Sequence, residues 1–179
     1  MKLIRMFLIS AVVLFLVLTF VFALFPPDIR VSRVIEIYAG TAKTDSIINE
    51  LKTWERWNQF VSDSQVTGRH FSNPSSGKGA YLQTNQFRVI ITGSYGDSLS
   101  TAWSKTGARP FTGTFLLVPT QQGRSAVQWY FDFHIRWYPW QKLGAMFYDK
   151  QLGPVMEKSL NNLKTVSYTH LTLPTKRIV

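Results

Sequence analysis

Residues 138–164 read YPWQKLGAMFYDKQLGPVMEKSLNNLK. Pro139 stands where a helix tolerates proline, in its first turn. From there Trp140, Leu143 and Phe147 form one apolar stripe, and Leu152, Met156, Leu160 and Leu163 form a second. Gly153-Pro154 divides the two, and a proline inside a helix removes a backbone hydrogen bond and bends it. The stretch predicts one long amphipathic helix with a break in its middle. An apolar face of that length needs a broad surface to lie on.

That surface is written just upstream. In residues 126–136, AVQWYFDFHIR, the series Val127, Trp129, Phe131, Phe133, Ile135 alternates with Gln128, Tyr130, Asp132, His134, Arg136. A period of two means a strand with one face buried and one wet. Residues 87–92, 99–105 and 111–118 also read as strands, punctuated by Gly77, Gly79, Gly93, Gly96, Gly107, Gly113 and Gly123 at hairpin-like intervals. Sequential hairpins make the sheet antiparallel.

Further upstream, residues 31–38, VSRVIEIY, are β-branched and read as an opening strand. Thr41 or Thr44 can cap a helix through Ile47, Ile48 and Leu51. Residues 53–60, TWERWNQF, place Trp54, Trp57 and Phe60 three apart on one helical face. The order is strand, two helices, a run of antiparallel strands, then one long helix. The fold class is α+β, with the helices on one side of the sheet. A long helix gripped by a curved sheet builds a pocket, which suggests a container for an apolar molecule.

The order and its motifs resemble the START-like, helix-grip superfamily, also called SRPBCC, in its polyketide cyclase/dehydrase-type branch. Arg33-Val34-Ile35-Glu36-Ile37 matches the opening strand. Leu51-Lys52-Thr53-Trp54-Glu55-Arg56-Trp57-Asn58 matches the segment before the sheet. Tyr138-Pro139-Trp140, Gly153-Pro154 and Leu160-Asn161-Asn162-Leu163-Lys164 match the closing helix. The resemblance covers most of residues 28–165. It implies a hydrophobic cavity between the bent sheet and the last helix. Carried over by position, Trp129, Phe131 and Phe133 face inward from the last strand, Trp103 and Phe115 from the middle strands, and Met146 and Phe147 from the helix. The fold hosts lipid binders and cyclases alike, so it does not name the ligand.

The ends read differently from the middle. From Phe7 to Phe25 no residue is charged, and only Ser10 and Thr19 interrupt the apolar run. At roughly 1.5 Å per residue such a run approaches the ~30 Å of a bilayer core. Lys2 and Arg5 precede it and Pro26-Pro27 follows. Residues 1–27 are expected to be an uncleaved single-pass membrane anchor, longer than the apolar region of a signal peptide, with a signal peptide cleaved near Val21-Phe22-Ala23 as the alternative. The basic amino-terminal flank favours a domain outside the cytoplasm. Residues 28–165 form the expected START-like domain. Residues 166–179, beginning VSYTHLTLPT, read as translated sequencing-adapter read-through rather than native sequence, with a natural polar tail as the alternative.

Composition narrows the chemistry. Among 179 residues there is no cysteine, which excludes disulfides, thiolate catalysis and cysteine zinc sites. The net charge of +10 includes no run of five like charges and no nucleic-acid-binding motif, so a basic face near an anionic membrane is preferred to nucleic acid as partner. Aromatics at 15%, with six Trp and thirteen Phe, suit both a core and an apolar cavity lining. No metal-ligand cluster, P-loop or nucleophile elbow is present, and no cofactor or catalytic residue is assigned. Asp132 and His134 share a strand face, but that face is the polar one, so water is their expected neighbour. Two functions stay open. One is a membrane-tethered module for a hydrophobic or lipid-like molecule. The other is a cyclase or dehydratase, which needs an inward-facing titratable group such as Glu36, Asp97 or His134.

Overall fold

The alternation in the last strand organises the molecule. The computed structural model describes residues 2–24, 26–105, 107, 109–136 and 138–169. Its elements run α1 (Lys2–Ala23), β1 (Asp28–Ile37), α2 (Thr41–Asn49), a 3₁₀ turn (Leu51–Thr53), α3 (Trp54–Trp57), α4 (Gln59–Ser62), β2 (His70–Phe71), β3 (Tyr81–Gln83), β4 (Phe87–Tyr95), β5 (Ser98–Lys105), β6 (Phe111–Pro119), β7 (Ser125–His134), α5 (Pro139–Ala145) and α6 (Tyr148–Thr169). The strands form one sheet in the order β1-β7-β6-β5-β4-β3-β2, and every pairing is antiparallel. The first strand thus closes against the last. The α+β helix-grip architecture expected from the sequence is the one observed, with the long α6 packed across β1.

The register sorts the two faces of β1 and β7. Val31, Arg33 and Ile35 pair with Phe131, Trp129 and Val127 on the inner face. On the outer face, paired residues form a polar ladder. Arg30 holds Asp132 through two hydrogen bonds of 2.7 and 3.0 Å, and its guanidinium lies 4.1 Å from the Tyr130 ring centre. His134 Nδ1 is 2.8 Å from Asp28 Oδ1, and the Gln128 amide donates to Ser32 Oγ. Asp132 and His134 therefore share the solvated face, and each is engaged by a β1 partner rather than by the other.

Two local expectations change. The N-cap of α2 is Gly40, with no side-chain cap. Thr41 begins the helix, while Thr44 is buried: its hydroxyl donates to the Gly40 carbonyl and lies 3.1 Å from Ser125 Oγ, which donates to the Ala39 carbonyl. The threonine that looked like a cap ties α2 to β7 instead. The closing helix also breaks elsewhere. It separates into α5 and α6 at Met146-Phe147, and α6 runs unbroken through Gly153-Pro154.

Gly153 has a different task. A Cβ there would collide with Arg33 Nη2. The Arg33 guanidinium occupies this notch, with Nη1 donating to Asp149 at 2.8 Å and Nε to Glu157 at 2.7 Å. Asp149, Gly153 and Glu157 are spaced four apart, one per helical turn, so they lie on one face of α6. The hydrogen bond from Arg33 holds the Asp149 carboxyl below its ordinary range. At its other end α6 continues through Ser167, which is buried and donates to the Leu163 carbonyl at 2.7 Å. Residues 170–179 of the expected non-native tail lie outside the described residues.

Candidate functional site

The interior has a filled half and an open half. In the filled half, Trp54 and Trp57 are fully buried from α3. Trp54 meets Trp103 and Phe115 with ring centres 5.9 and 5.8 Å apart, and Phe115 stacks on Trp129 at 4.8 Å. The Trp54 indole donates to the Ile48 carbonyl at 2.7 Å, which fixes α3 against α2. Asn58 ends α3, and its Oδ1 caps α4 by accepting from Phe60 N at 3.0 Å. That turn redirects the chain, so Phe60 reaches over the sheet to Trp103, Trp129 and Phe131. Ser159 of α6 accepts from Gln59 N at 2.8 Å and anchors α4 from above.

The open half begins at Phe60. A cleft of about 580 Å³ lies between α4 and α6 above and β4 to β7 below. Its walls are Phe60, Val66, Phe87, Trp103, Phe111 and Phe131, with Leu152, Pro154 and Val155 from α6. Lys105, Lys158 and Asp63 are the titratable groups on it, beside Gln59, Gln65, Gln86 and Ser104. Lys105 reaches the site because it continues the inward series Leu99, Thr101, Trp103 along β5. Mostly apolar walls with a few polar groups at the edge are what a small-molecule site offers. A second cleft, about 610 Å³, shares Phe111 and Leu152 with the first and extends past Phe133, Ile135, Gln141, Gly144 and Tyr148.

Gly113 sets the boundary between the two halves. A Cβ there would meet Phe131 Cε1 at 2.7 Å, Trp103 Nε1 at 2.8 Å and Thr101 Oγ1 at 2.9 Å. Only a bare backbone lets these side chains converge. Thr101 donates to the Gly113 carbonyl at 2.7 Å and accepts from the Trp103 indole at 3.0 Å. This short relay holds the Trp103 ring as a cleft wall.

The seven positions expected to line a cavity divide accordingly. Trp103 and Phe131 line the first cleft and Phe133 the second. Phe115 and Trp129 are fully buried in the filled half. Met146 and Phe147 are 65% and 54% exposed on the turn between α5 and α6, because the helix breaks there and turns them outward. The groups considered for acid–base work lie apart from the first cleft. Glu36 is on the outer face, 3.6 Å from Arg124; Asp97 is exposed between β4 and β5; His134, paired with Asp28, edges the second cleft. Sequence reasoning passed over Phe60, Phe87, Phe111 and Leu152 as site residues. Phe60 lies in the single-turn α4, and Phe87 and Phe111 are the first residues of β4 and β6, places where period gives little warning of orientation.

Residues 28–167 match the family described as polyketide cyclase / dehydrase and lipid transport. The chain belongs to that family. Solved structures show the same fold at low identity. A START superfamily protein from Mycobacterium smegmatis superposes with a TM-score of 0.56 at 16% identity, over 80% of this chain and 99% of that one. Norcoclaurine synthase from Thalictrum flavum, captured with a transition-state analogue, gives 0.60 at 8% identity, over 81% and 97%. A protein of unknown function from Staphylococcus aureus gives 0.60 at 10%, over 80% and 97%. No curated protein matches the sequence. At these identities the neighbours establish the fold, while ligand and chemistry rest on this chain's own residues.

Proposed function

We propose that this protein is a membrane-tethered binding module that holds a hydrophobic or lipid-like small molecule in the first cleft. The observation that carries it is the 580 Å³ cleft with aromatic and aliphatic walls, left open at the end of an otherwise ring-filled interior. The tether is α1. Its 22 residues include an 18-residue apolar window with no buried residue, so they meet the length and composition of a spanning helix. Thr19 returns its hydroxyl to the Phe15 carbonyl at 2.8 Å, which satisfies it without water. The basic flank of α1 supports a domain outside the cytoplasm.

The test uses a diazirine-bearing fatty acid, photolysed on the full chain in native membranes. Cross-links are expected on the α4 and α6 segments that wall the cleft, and Leu152→Trp is expected to suppress them by filling the space. Cross-links confined to α1 would refute the binding role. A reporter enzyme fused after α6 that is active only in the cytoplasm would overturn the orientation.

A further inference from the structure

We propose that α5 and the turn after it form a second membrane contact, an apolar patch that lies in the headgroup layer of the same bilayer that α1 crosses. Trp140, Leu143, Met146 and Phe147 are 59%, 48%, 65% and 54% exposed. Elsewhere on the domain, among the described residues, the large apolar side chains that are exposed, Val34, Tyr38, Tyr95, Val118 and Tyr168, stand on separate elements or turns. Exposed apolar residues scattered singly are ordinary on a soluble surface; four within eight positions form a patch that wants a partner.

The partner follows from where α1 ends. Lys142, on the opposite side of α5, is buried, and its Nζ donates to the Phe22 carbonyl at 2.5 Å. Phe22 belongs to the last turn of α1. A lysine there meets the negative end of the helix dipole. Just beyond, Ile135 N donates to the Pro27 carbonyl at 2.7 Å, which fastens the linker to the end of β7. At ~1.5 Å per residue, 22 residues rise about 33 Å, close to the ~30 Å apolar thickness of a bilayer. The end of α1 therefore marks the membrane boundary, and α5 is clamped to that end.

The chemistry of the patch fits that depth. Trp140 stacks on Tyr138 with ring centres 5.0 Å apart, and Trp and Tyr favour the zone between headgroup and acyl chain. Lys150, with its ammonium 6.0 Å from the Phe147 ring centre, places positive charge beside the apolar surface, as interfacial segments on anionic lipids do. Gln141 and Gly144 of α5 also wall the second cleft. Docking of α5 would set that cleft, which shares Phe111 and Leu152 with the first, directly beside the lipid from which an apolar ligand comes.

This inference rests on α1 being a tether, so the test reads both. The chain has no cysteine, which allows single-cysteine labelling without background. Leu14→Cys, Met146→Cys, Phe147→Cys and Tyr95→Cys variants of the full chain are labelled with NBD. They are then reconstituted in phosphatidylethanolamine–phosphatidylglycerol vesicles with or without doxyl-lipid quenchers. Headgroup-proximal doxyl is expected to quench the labels at 146 and 147 several-fold more than the label at 95, and acyl-chain doxyl to quench the label at 14. Quenching at 14 with labels at 146 and 147 as silent as 95 overturns the patch and leaves the tether standing. No quenching at 14 overturns both. Labels at 146 and 147 that ignore the lipid but self-quench with rising protein density show that a second copy covers the patch, and overturn it as well.

Discussion

Two halves of one interior are built from the same residue type and end up with opposite properties. Under α3, Trp54 and Trp57 descend onto Phe115 and Trp129, and the rings close the space. Under α6, Phe111, Phe131 and Trp103 face the aliphatic Leu152 and Val155 in place of rings, and a cleft remains. The difference lies in what the opposite layer sends down. An aromatic on a sheet becomes core or lining according to its partner's length.

The comparison can be broken most severely from the filled side. Trp57→Ala removes a fully buried ring that contacts Trp54, Phe115 and Trp129. A loss of ~3–5 kcal/mol is expected, read as a large drop in the denaturation midpoint of the full chain. Next is the boundary. Gly113→Ala forces a methyl among Phe131, Trp103 and Thr101, and overpacking of this kind costs ~1–3 kcal/mol. It should also alter Trp103 fluorescence, since the ring has to leave its hydrogen bond to Thr101. A variant with unchanged stability and spectrum would show that the two halves are not separated as described.

From the open side the expected sign reverses. Leu152→Trp adds a ring where none reaches, so stability should change by no more than ~1 kcal/mol while uptake of an apolar probe is lost. Retained uptake would place the ligand elsewhere. The smallest effect concerns the clamp over β1. Arg33 depresses the Asp149 pKa below the ordinary 3.8. A carboxyl with a lowered folded pKa stabilises the fold above its unfolded value and loses that contribution as pH falls through the folded one. Wild type and Asp149→Asn should therefore differ slightly in denaturation midpoint at neutral pH and converge in acid below 3.8; a constant gap would disprove the pairing.

The sheet was legible because a period of two survives in β7 and because β-branched residues dominate β1. Fold class, strand placement and the polar outer face with Asp132 and His134 all followed. The site was only half legible. Trp103, Phe131 and Phe133 could be placed from strand parity, but parity cannot tell Trp129, covered by Trp57, from Trp103, which Trp54 and Phe60 meet but which still lines the cleft. That depends on the turn at Asn58, a tertiary detail. Proline is a strong local signal, so sequence alone puts the break in the closing helix at Gly153-Pro154. In the structure Gly153 makes room for Arg33, a residue 120 positions earlier, and no local rule reports that.

A helix cradled by a sheet keeps one soft degree of freedom: it can slide along its own axis. The notch at Gly153 removes it. Displaced by a turn in either direction, α6 would bring Asp149 or Glu157 side-chain carbons to the place of the guanidinium, and the arginine would have no room. The bolt sits next to Leu152 and Pro154, so the ceiling of the cleft is the stationary part of the molecule. A ligand that needs more room than the open cleft gives would gain it from α4, α5 or the strand ends, and α6 is the element expected to shift least on binding.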